Sequence, residues 1–181
     1  MEVRYAEASD IGAIVDVVRR AQGALTATGS QQCLTLPSPG AVAAYIAART
    51  AHVLIEGHTV LGSVFVEEVT ARRMPVLARW GRDGSTYPLW SLHTLVVEPT
   101  MQGRGLGHVL LGGVKAAVAA HGLAAIVLDC WAGNDTLRAF YAHDGFQLHG
   151  IFPEADYEIA VFVWRSPSSL PCAESILLVQ G

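Results

Sequence analysis

The sequence predicts a single α/β domain in which about four helices flank a mixed β-sheet of about seven strands. Its length of 181 residues suits one domain. Hydrophobic residues make up 51% of the chain and charged residues 15%, which is enough apolar material for a full core. Strand-like and helix-like patterns follow one another in the order β-α-α-β-β-β-α-β-α-β-β. This order predicts helices packed on a sheet whose strands run in both directions.

Composition and charge exclude several classes of protein. A formal net charge of -4 gives no general attraction to nucleic acid or to anionic membranes, so neither is an expected partner. The three cysteines show no CxxC spacing, which argues against zinc or dithiol chemistry and suits a reducing compartment. The N-terminus lacks the pattern of a secretory signal, and no uncharged apolar stretch reaches the roughly 18 residues that span a bilayer. A cytoplasmic location is therefore expected.

The first elements are predicted from hydrophobic periodicity and from residues that begin or end helices. A short strand at residues 3–5 precedes a helix that Asp10 caps and Gly23 ends. Polar residues and prolines between 24 and 38 indicate a loop, and a second helix follows Pro39.

The middle of the chain is predicted to hold three strands and a long loop. Two apolar runs, 52–56 and 59–69, are separated by Gly57 and His58, a hairpin signal. Residues 70–88 break all periodicity and are interpreted as a loop that carries four arginines. Residues 89–97 form the next strand. A helix follows a glycine-rich turn, with one apolar face formed by Leu106, Val109, Leu110, Val114, Ala117 and Val118.

The last elements are a strand at 123–130, a helix that Asn134 caps and Gly145 ends, and two strands at 146–152 and 158–164. These final strands flank an acidic turn at 153–156. We place the domain at residues 1–166 and treat 167–181 as a tail, which is either disordered or adds a strand. A homodimer would give such a strand a partner.

The turn from Gln102 to Gly107 connects a strand to a helix and is suited to binding phosphate. Its small residues leave backbone N–H groups open at the positive end of the helix dipole. A Walker loop needs Gly-Lys, which the chain lacks. The dinucleotide fingerprint needs Gly-x-Gly-x-x-Gly, whereas the glycines here lie at 103, 105 and 107. The remaining pattern is Gln-x-x-Gly-x-Gly.

This pattern resembles that of the GNAT superfamily of N-acetyltransferases, in which Gln102, Gly105 and Gly107 match the turn that holds the pyrophosphate of acetyl-CoA. A second segment matches as well, through Asn134, Tyr141, Gly145 and Phe146, with Leu137 in place of the usual alanine. The resemblance implies the GNAT fold, acetyl-CoA as co-substrate and no metal. It places these residues at the cofactor: Leu95, Val96, Val97, Gln102, Gly103, Arg104, Gly105, Leu106, Gly107, His108, Asn134 and Tyr141.

Acetyl transfer requires a deprotonated amine and a proton for the departing thiolate. The resemblance implies that Tyr141 is the acid, and that backbone N–H groups of residues 95–97 stabilise the oxyanion where the fourth strand splays from the fifth. Phe140 and Tyr141 are neighbours on a helix, so we expect one to pack and the other to face the cleft.

His93 is the first choice of base. Strand alternation predicts that it shares a face with Ser91, Leu95 and Val97. The segment 92–97 is also similar to the Leu-His-x-Leu-x-Val strand of arylalkylamine N-acetyltransferases, in which a histidine contributes to deprotonation.

Other candidate bases are carboxylates: Glu67, Glu68, Asp129 and the acids of the last hairpin, Glu154, Asp156 and Glu158. Glu67 and Glu68 lie on opposite faces of a strand, and solvated positions are expected for both. The histidines show no i, i+4 ligand spacing with a carboxylate, which argues against a metal site.

The predicted activity is acetylation of the primary amine of a small molecule. Acetylation of a protein lysine or N-terminus is the alternative within enzymes, and a non-catalytic acyl-CoA-binding module is the alternative outside them. The hairpin acids favour a cationic amine, whereas the arginines of 70–88 suit a substrate carboxylate.

Overall fold

The structure is a computed structural model that describes residues 1–30, 32, 34–69, 89–122, 125–154 and 157–166. Within these ranges the elements occur in the predicted order and form the predicted mixed α/β fold. They are β1 (Glu2–Tyr5), α1 (Ile11–Ala27), α2 (Pro39–Ala47), β2 (Ala51–Glu56), β3 (Thr59–Glu68), β4 (Leu89–Val97), α3 (Leu106–Ala120), β5 (Ala125–Trp131), α4 (Asp135–His143), β6 (Gln147–Glu154) and β7 (Tyr157–Arg165).

The strands form one sheet in the order β1-β2-β3-β4-β5-β7-β6. Every neighbouring pair is antiparallel except β4 and β5, which are parallel. That parallel pairing is confined to Leu89–Ser91 of β4 against Ala125–Val127 of β5. The second half of β4 is therefore not bonded to β5, which opens a cleft in the middle of the sheet.

Helices cover both faces of the sheet. On one face α1 and α2 pack against β2 and β3 through Ile14, Val42 and Phe65, all at most 1% exposed. On the other face α3 and α4 enclose a larger core that includes Leu110 and Leu128. Burying each such side chain contributes about 1.5–3 kcal/mol, so the two cores hold the cleft between rigid layers.

Helix α1 differs from its prediction at both ends. Asp10 precedes α1, but its carboxylate accepts the N–H of Glu7 and pairs with Arg4, each at 2.8 Å, instead of capping α1. The helix also continues past Gly23 to Ala27, because an interior glycine costs only about 1 kcal/mol relative to alanine. Beyond the last helical residue, Ala27, the chain turns away at Gly29, whose φ of 70° suits a residue after a helix.

The buried face of α3 is also displaced from the predicted one. Val109 is 46% exposed, whereas Leu111 is fully buried. The buried face is centred close to Val114, and Val109 lies about 140° around the helix from that residue. The described helices include none that is both long and apolar enough to cross a bilayer. The loop at 70–88 and the tail at 167–181 lie outside the described residues, and the domain boundary at 166 stays a prediction.

Candidate active site

A cavity of about 810 Å³ lies where β4 and β5 stop pairing, within the size range of small-molecule sites. Its wall includes the second half of β4, the glycine turn, the start of α3 and one side of α4. Of the predicted cofactor residues, those that line it are Leu95, Val96, Val97, Gln102, Gly103, Gly105, Leu106, Gly107, His108, Asn134 and Tyr141. Arg104 is exposed and is not among the lining residues.

The glycine turn has the conformation that phosphate binding requires. Gly103 and Gly105 both have φ 75°, a left-handed conformation that favours glycine. Gly105 is the N-cap of α3, so the first N–H groups of that helix lack partners within the helix and carry its positive dipole end. A Cβ on Gly107 would lie 3.2 Å from the Phe140 ring, so this glycine allows α3 and α4 to approach closely. A helix N-terminus of this kind is able to bind a phosphate group.

Three groups with metal-ligating atoms meet beside this turn. His108, His143 and Asp144 present ligand atoms within 4.8 Å of one another, a cluster that the i, i+4 search missed because its members lie at the start of α3 and the end of α4. His108 Nδ1 is hydrogen-bonded to the Asp144 carboxylate. The Lys115 ammonium donates to the Asp144 carbonyl at 2.7 Å and lies 3.6 Å from its carboxylate. Because Lys115 already neutralises Asp144 and would repel a metal cation, we interpret the cluster as a network that holds α3 against α4.

Helix α4 places Tyr141 in the cavity wall. Asn134 caps the helix, since its Oδ1 accepts the N–H of Leu137 at 3.0 Å. Tyr141 is only 5% exposed, and its ring packs against Phe146 and Phe162. Burial raises the pKa of Tyr141 far above its usual value, with nearby Cys130 and Asp129 adding to the effect. The hydroxyl therefore keeps its proton at neutral pH.

The expectation that only one of Phe140 and Tyr141 would face the cleft is wrong. Both line the cavity. Phe140 is partly exposed and packs against His108, with ring centroids 4.6 Å apart. The cavity extends along α4 and around its side, so neighbouring residues of the helix both reach it.

A β-bulge in β4 overturns the predicted alternation of that strand. His93 pairs with Phe65 and Val96 with Ser63, so β4 has one residue more than β3 between these pairs. Thr94 has φ 52° at this point. His93 contacts the α2 face through Tyr45, whereas Leu95 and Val97 pack on the α3 core and Val96 packs against α1. His93 therefore does not share a face with Leu95 and Val97, because the extra residue reverses the alternation.

His93 lies in the cavity wall among aromatic rings. Its ring centroid is 5.5 Å from that of Phe65 and 5.7 Å from that of Tyr45. Its Nδ1 is 3.2 Å from Thr94 Oγ1, and its Nε2 is 3.2 Å from Glu67 Oε1. The Nε2 contact is poorly aligned for a straight hydrogen bond and is mainly electrostatic. Burial lowers the pKa of His93 and Glu67 partly offsets this, so the ring is neutral at pH 7 and able to accept a proton.

The two adjacent glutamates of β3 have different surroundings. Glu68 is exposed, as expected from its place near the end of the strand. The solvated position expected for Glu67 is wrong, since only 9% of this residue is exposed. β3 pairs Glu67 with Ser91, two residues before His93 on the same face, which brings its carboxylate to the imidazole. Strand alternation predicted that Glu67 and Glu68 lie on opposite faces, but it did not predict that neighbouring residues would bury Glu67.

Asp129 is a second titratable group in the cavity wall. It is accessible from the cavity, but protein surrounds it on most other sides. This enclosure raises the pKa of Asp129, and the negative charge of Glu154 adds to the shift. β6 extends to Glu154, so the first half of the predicted turn 153–156 is strand, while Asp156 lies outside the described residues. Glu158 belongs to the last strand, β7, as predicted.

The segment between α1 and α2 is held over the cleft by two glutamines that sequence reasoning missed. Gln22 Oε1 accepts the N–H of Leu34 at 2.6 Å. Gln32 Oε1 accepts the N–H of Trp131, at the end of β5, at 2.8 Å. Gln32, Leu34 and Thr35 all line the cavity. The predicted loop therefore forms part of the cavity wall, but its attachment joins residues 99 positions apart, which no local pattern reveals.

Residues 18–146 match the model of the acetyltransferase (GNAT) family, which covers more than half of the chain. The chain belongs to the GNAT family. This membership confirms the predicted enzyme class, an acyltransferase, and its co-substrate, acetyl-CoA. Family membership does not establish the roles predicted for individual residues, which stay predictions.

Solved structures show that the GNAT fold extends over nearly the whole chain. An acetyltransferase of the GNAT family from Listeria monocytogenes is 19% identical, covers 91% of this chain and 94% of its own, and has a TM-score of 0.72. A Salmonella typhimurium protein solved with its cofactor acetyl-CoA is 18% identical over 91% of this chain and 93% of its own, with a TM-score of 0.71. The Escherichia coli ribosomal-protein-S18-alanine N-acetyltransferase is 17% identical over 96% and 97%, with a TM-score of 0.66. A search of curated proteins gave no match.

Proposed function

We propose that this GNAT enzyme transfers the acetyl group of acetyl-CoA to the primary amine of a small molecule. One observation carries the proposal: a single cavity is lined both by the glycine turn and by His93, a neutral imidazole beside a buried carboxylate. His93 and the backbone of residues 95–97 belong to the same strand, β4, so the amine and the thioester would meet beside that strand.

Different protein groups act on acetyl-CoA and on the acceptor amine. Acetyl-CoA supplies the acetyl group as an activated thioester. The turn from Gln102 to Gly107 binds its phosphates, and backbone N–H groups of residues 95–97 stabilise negative charge at the reacting carbonyl. Tyr141 donates a proton to the departing sulfur, and His93 is the base for the amine.

Charge and enclosure support a small cationic acceptor. Asp129 places a carboxylate in the cavity wall, and the Glu67 carboxylate lies next to His93, which together favour an ammonium group. The bond from Gln32 to Trp131 closes part of the cleft, where a bound peptide would need a continuous groove. Asp129 is a second candidate base, since its raised pKa brings it nearer to neutrality than an ordinary aspartate.

The test is release of free thiol from acetyl-CoA with a panel of acceptors. The panel contains alkylamines, arylalkylamines, zwitterionic amines and peptides with free N-termini or lysines. Release with small amines supports the proposal. Release with peptides alone would assign the enzyme to protein acetylation, and saturable CoA binding without any release would make the chain a binding module.

A further inference from the structure

Thr94 is a conformational outlier in the cavity wall. Its φ of 52° is left-handed, which is rare for a β-branched residue. Such a backbone is energetically unfavourable and persists where the surroundings enforce it, most often at functional sites. Here the bulge in β4 enforces it, since β3 pairs with β4 on both sides of Thr94, at His93 and at Val96.

The strained backbone points the Thr94 hydroxyl at His93. Thr94 Oγ1 is 3.2 Å from Nδ1 of the imidazole, and Thr94 itself lines the cavity. The other ring nitrogen, Nε2, is 3.2 Å from the Glu67 carboxylate. Both nitrogens therefore face protein groups, and of these two groups only the hydroxyl belongs to a residue of the cavity wall.

The surroundings of the ring decide which nitrogen carries the proton. The Glu67 carboxylate favours a proton on Nε2, because a negative charge stabilises the N–H that faces it. Nδ1 is then an acceptor, and the Thr94 hydroxyl donates to it. The oxygen of that hydroxyl keeps its lone pairs for a donor in the cavity.

We propose that Thr94, His93 and Glu67 form a proton relay in which the Thr94 hydroxyl takes the proton of the acceptor ammonium. The N–H bond of the ammonium breaks and an O–H bond forms at Oγ1, while the original hydroxyl proton passes to Nδ1. The positive charge moves from the substrate to the imidazolium, where Glu67 balances it. The amine keeps the electron pair that attacks the thioester. Thr94 and His93 act directly in the relay, and Glu67 is a positioning residue.

Among the described residues, the other groups near this route are two aromatic rings and one carboxylate. Tyr45 of α2 and Phe65 of β3 present rings to the imidazole. Asp129 of β5 lines the same cavity and is the carboxylate that could act in its place. The inference rests on the proposed function, because it concerns deprotonation of the acceptor amine.

Thr94→Val tests the relay, since it removes the hydroxyl and keeps the β-branched shape. With an alkylamine at pH 7 we expect kcat/KM to fall about 10²-fold, the lower end of general-base effects. The loss should shrink as pH rises, because more of the amine is already neutral. An arylamine that is neutral at pH 7 should lose less than threefold. Thr94→Ser should restore the alkylamine rate, and Thr59→Val, outside the cavity on β3, should match the unmodified protein.

Glu67→Gln provides a second test, a shift of the pH profile that a purely structural role of Glu67 would not produce. The carboxylate raises the pKa of His93, so the glutamine variant should move the acid limb of the kcat/KM profile to lower pH. An unchanged alkylamine profile in Thr94→Val overturns the relay, as does equal loss with both amines. Activity that disappears only in Asp129→Asn also overturns it. If the unmodified protein acetylates no amine at all, the proposed function fails instead, whatever Thr94 does.

Discussion

The two ends of the cavity are built in different ways. The donor end, which receives acetyl-CoA in our proposal, consists of two runs of consecutive residues. These are the turn 102–107 and the helix that Asn134 caps. The acceptor end brings together His93, Glu67 and Asp129, three side chains from three strands. In our proposal, backbone N–H groups bind the ligand at the donor end, whereas side chains bind and deprotonate the amine at the acceptor end.

This difference has a consequence for mutation. At the donor end, binding depends on backbone conformation, so changes that add a Cβ matter more than changes of side-chain chemistry. At the acceptor end, a substitution that preserves shape and removes one polar atom should change the chemistry while the fold survives. The following predictions test this contrast.

Tyr141 should give the largest effect and is the exception at the donor end, since its role depends on a side chain. Tyr141→Phe should lower kcat about 10²- to 10⁴-fold with little change in KM for acetyl-CoA, because the proton is needed in the transition state. Steady-state kinetics measures this. Tyr157→Phe, an exposed tyrosine outside the cavity, is the matched control. A loss below threefold would assign the Tyr141 hydroxyl to packing.

His52 belongs to neither end and sets the pH dependence of the fold itself. It is 5% exposed, and its ring packs at a tilt against that of Tyr5, with the ring centroids 4.5 Å apart. Its ring nitrogens have no hydrogen-bond partner among the described residues. Burial lowers its pKa from 6.5 to about 4. Below pH 6.5 the unfolded chain therefore binds the proton and the folded one does not, so stability falls as pH drops, by up to about 3 kcal/mol.

Urea unfolding between pH 7 and pH 5 measures this loss, which should be about 2 kcal/mol at this position. His52→Leu should remove it, whereas His58→Leu, at an exposed turn histidine, should not. An equal pH dependence in the His52→Leu protein would contradict the assignment. The result also separates loss of folded protein from the acid limb that belongs to His93.

Gly105 tests the backbone nature of the donor end. Acetyl-CoA at 100 times its Kd should raise the free energy of unfolding by about 2.7 kcal/mol. Gly105→Val should abolish that gain, because φ 75° is strongly unfavourable for a β-branched residue and the turn would relax to another conformation. Gly122→Val carries similar strain at φ 69° beyond the other end of α3, outside the cavity wall. Thermal shifts should therefore persist in that control. A folded Gly105→Val protein with the full shift would exclude the turn from the binding site.

The acidic hairpin should give the smallest effect. Neutralising Glu154 and Asp156 together should raise the KM of a cationic acceptor, by no more than about fivefold, the factor that matches the roughly 0–1 kcal/mol of a solvent-screened ion pair. The increase should be larger at low salt, and KM for acetyl-CoA should not move. Glu2→Gln with Glu56→Gln, at the opposite end of the sheet, is the control. An unmoved acceptor KM at low salt would leave these charges without a role in recruiting the amine.

Sequence reasoning was accurate where structure is local. The strand at Leu89–Val97, the cap at Asn134 and the positive φ of Gly105 all follow from residue type and spacing over a few positions. It was wrong where a neighbouring element decides the outcome. Gly23 does not end α1, and the alternation predicted for His93 and Leu95 fails at the bulge.

The sequence by itself determined the fold class, the family and the donor end, because a glycine turn and a capped helix are encoded by consecutive residues. The acceptor end was decided by tertiary structure. Pairing of β3 with β4 brings Glu67 to His93, and the bulge at Thr94 turns a hydroxyl onto the imidazole. Burial then sets the proton affinity of the imidazole. Such contacts join residues far apart in the chain, and their energies depend on distance and solvent exclusion, which only the folded chain defines.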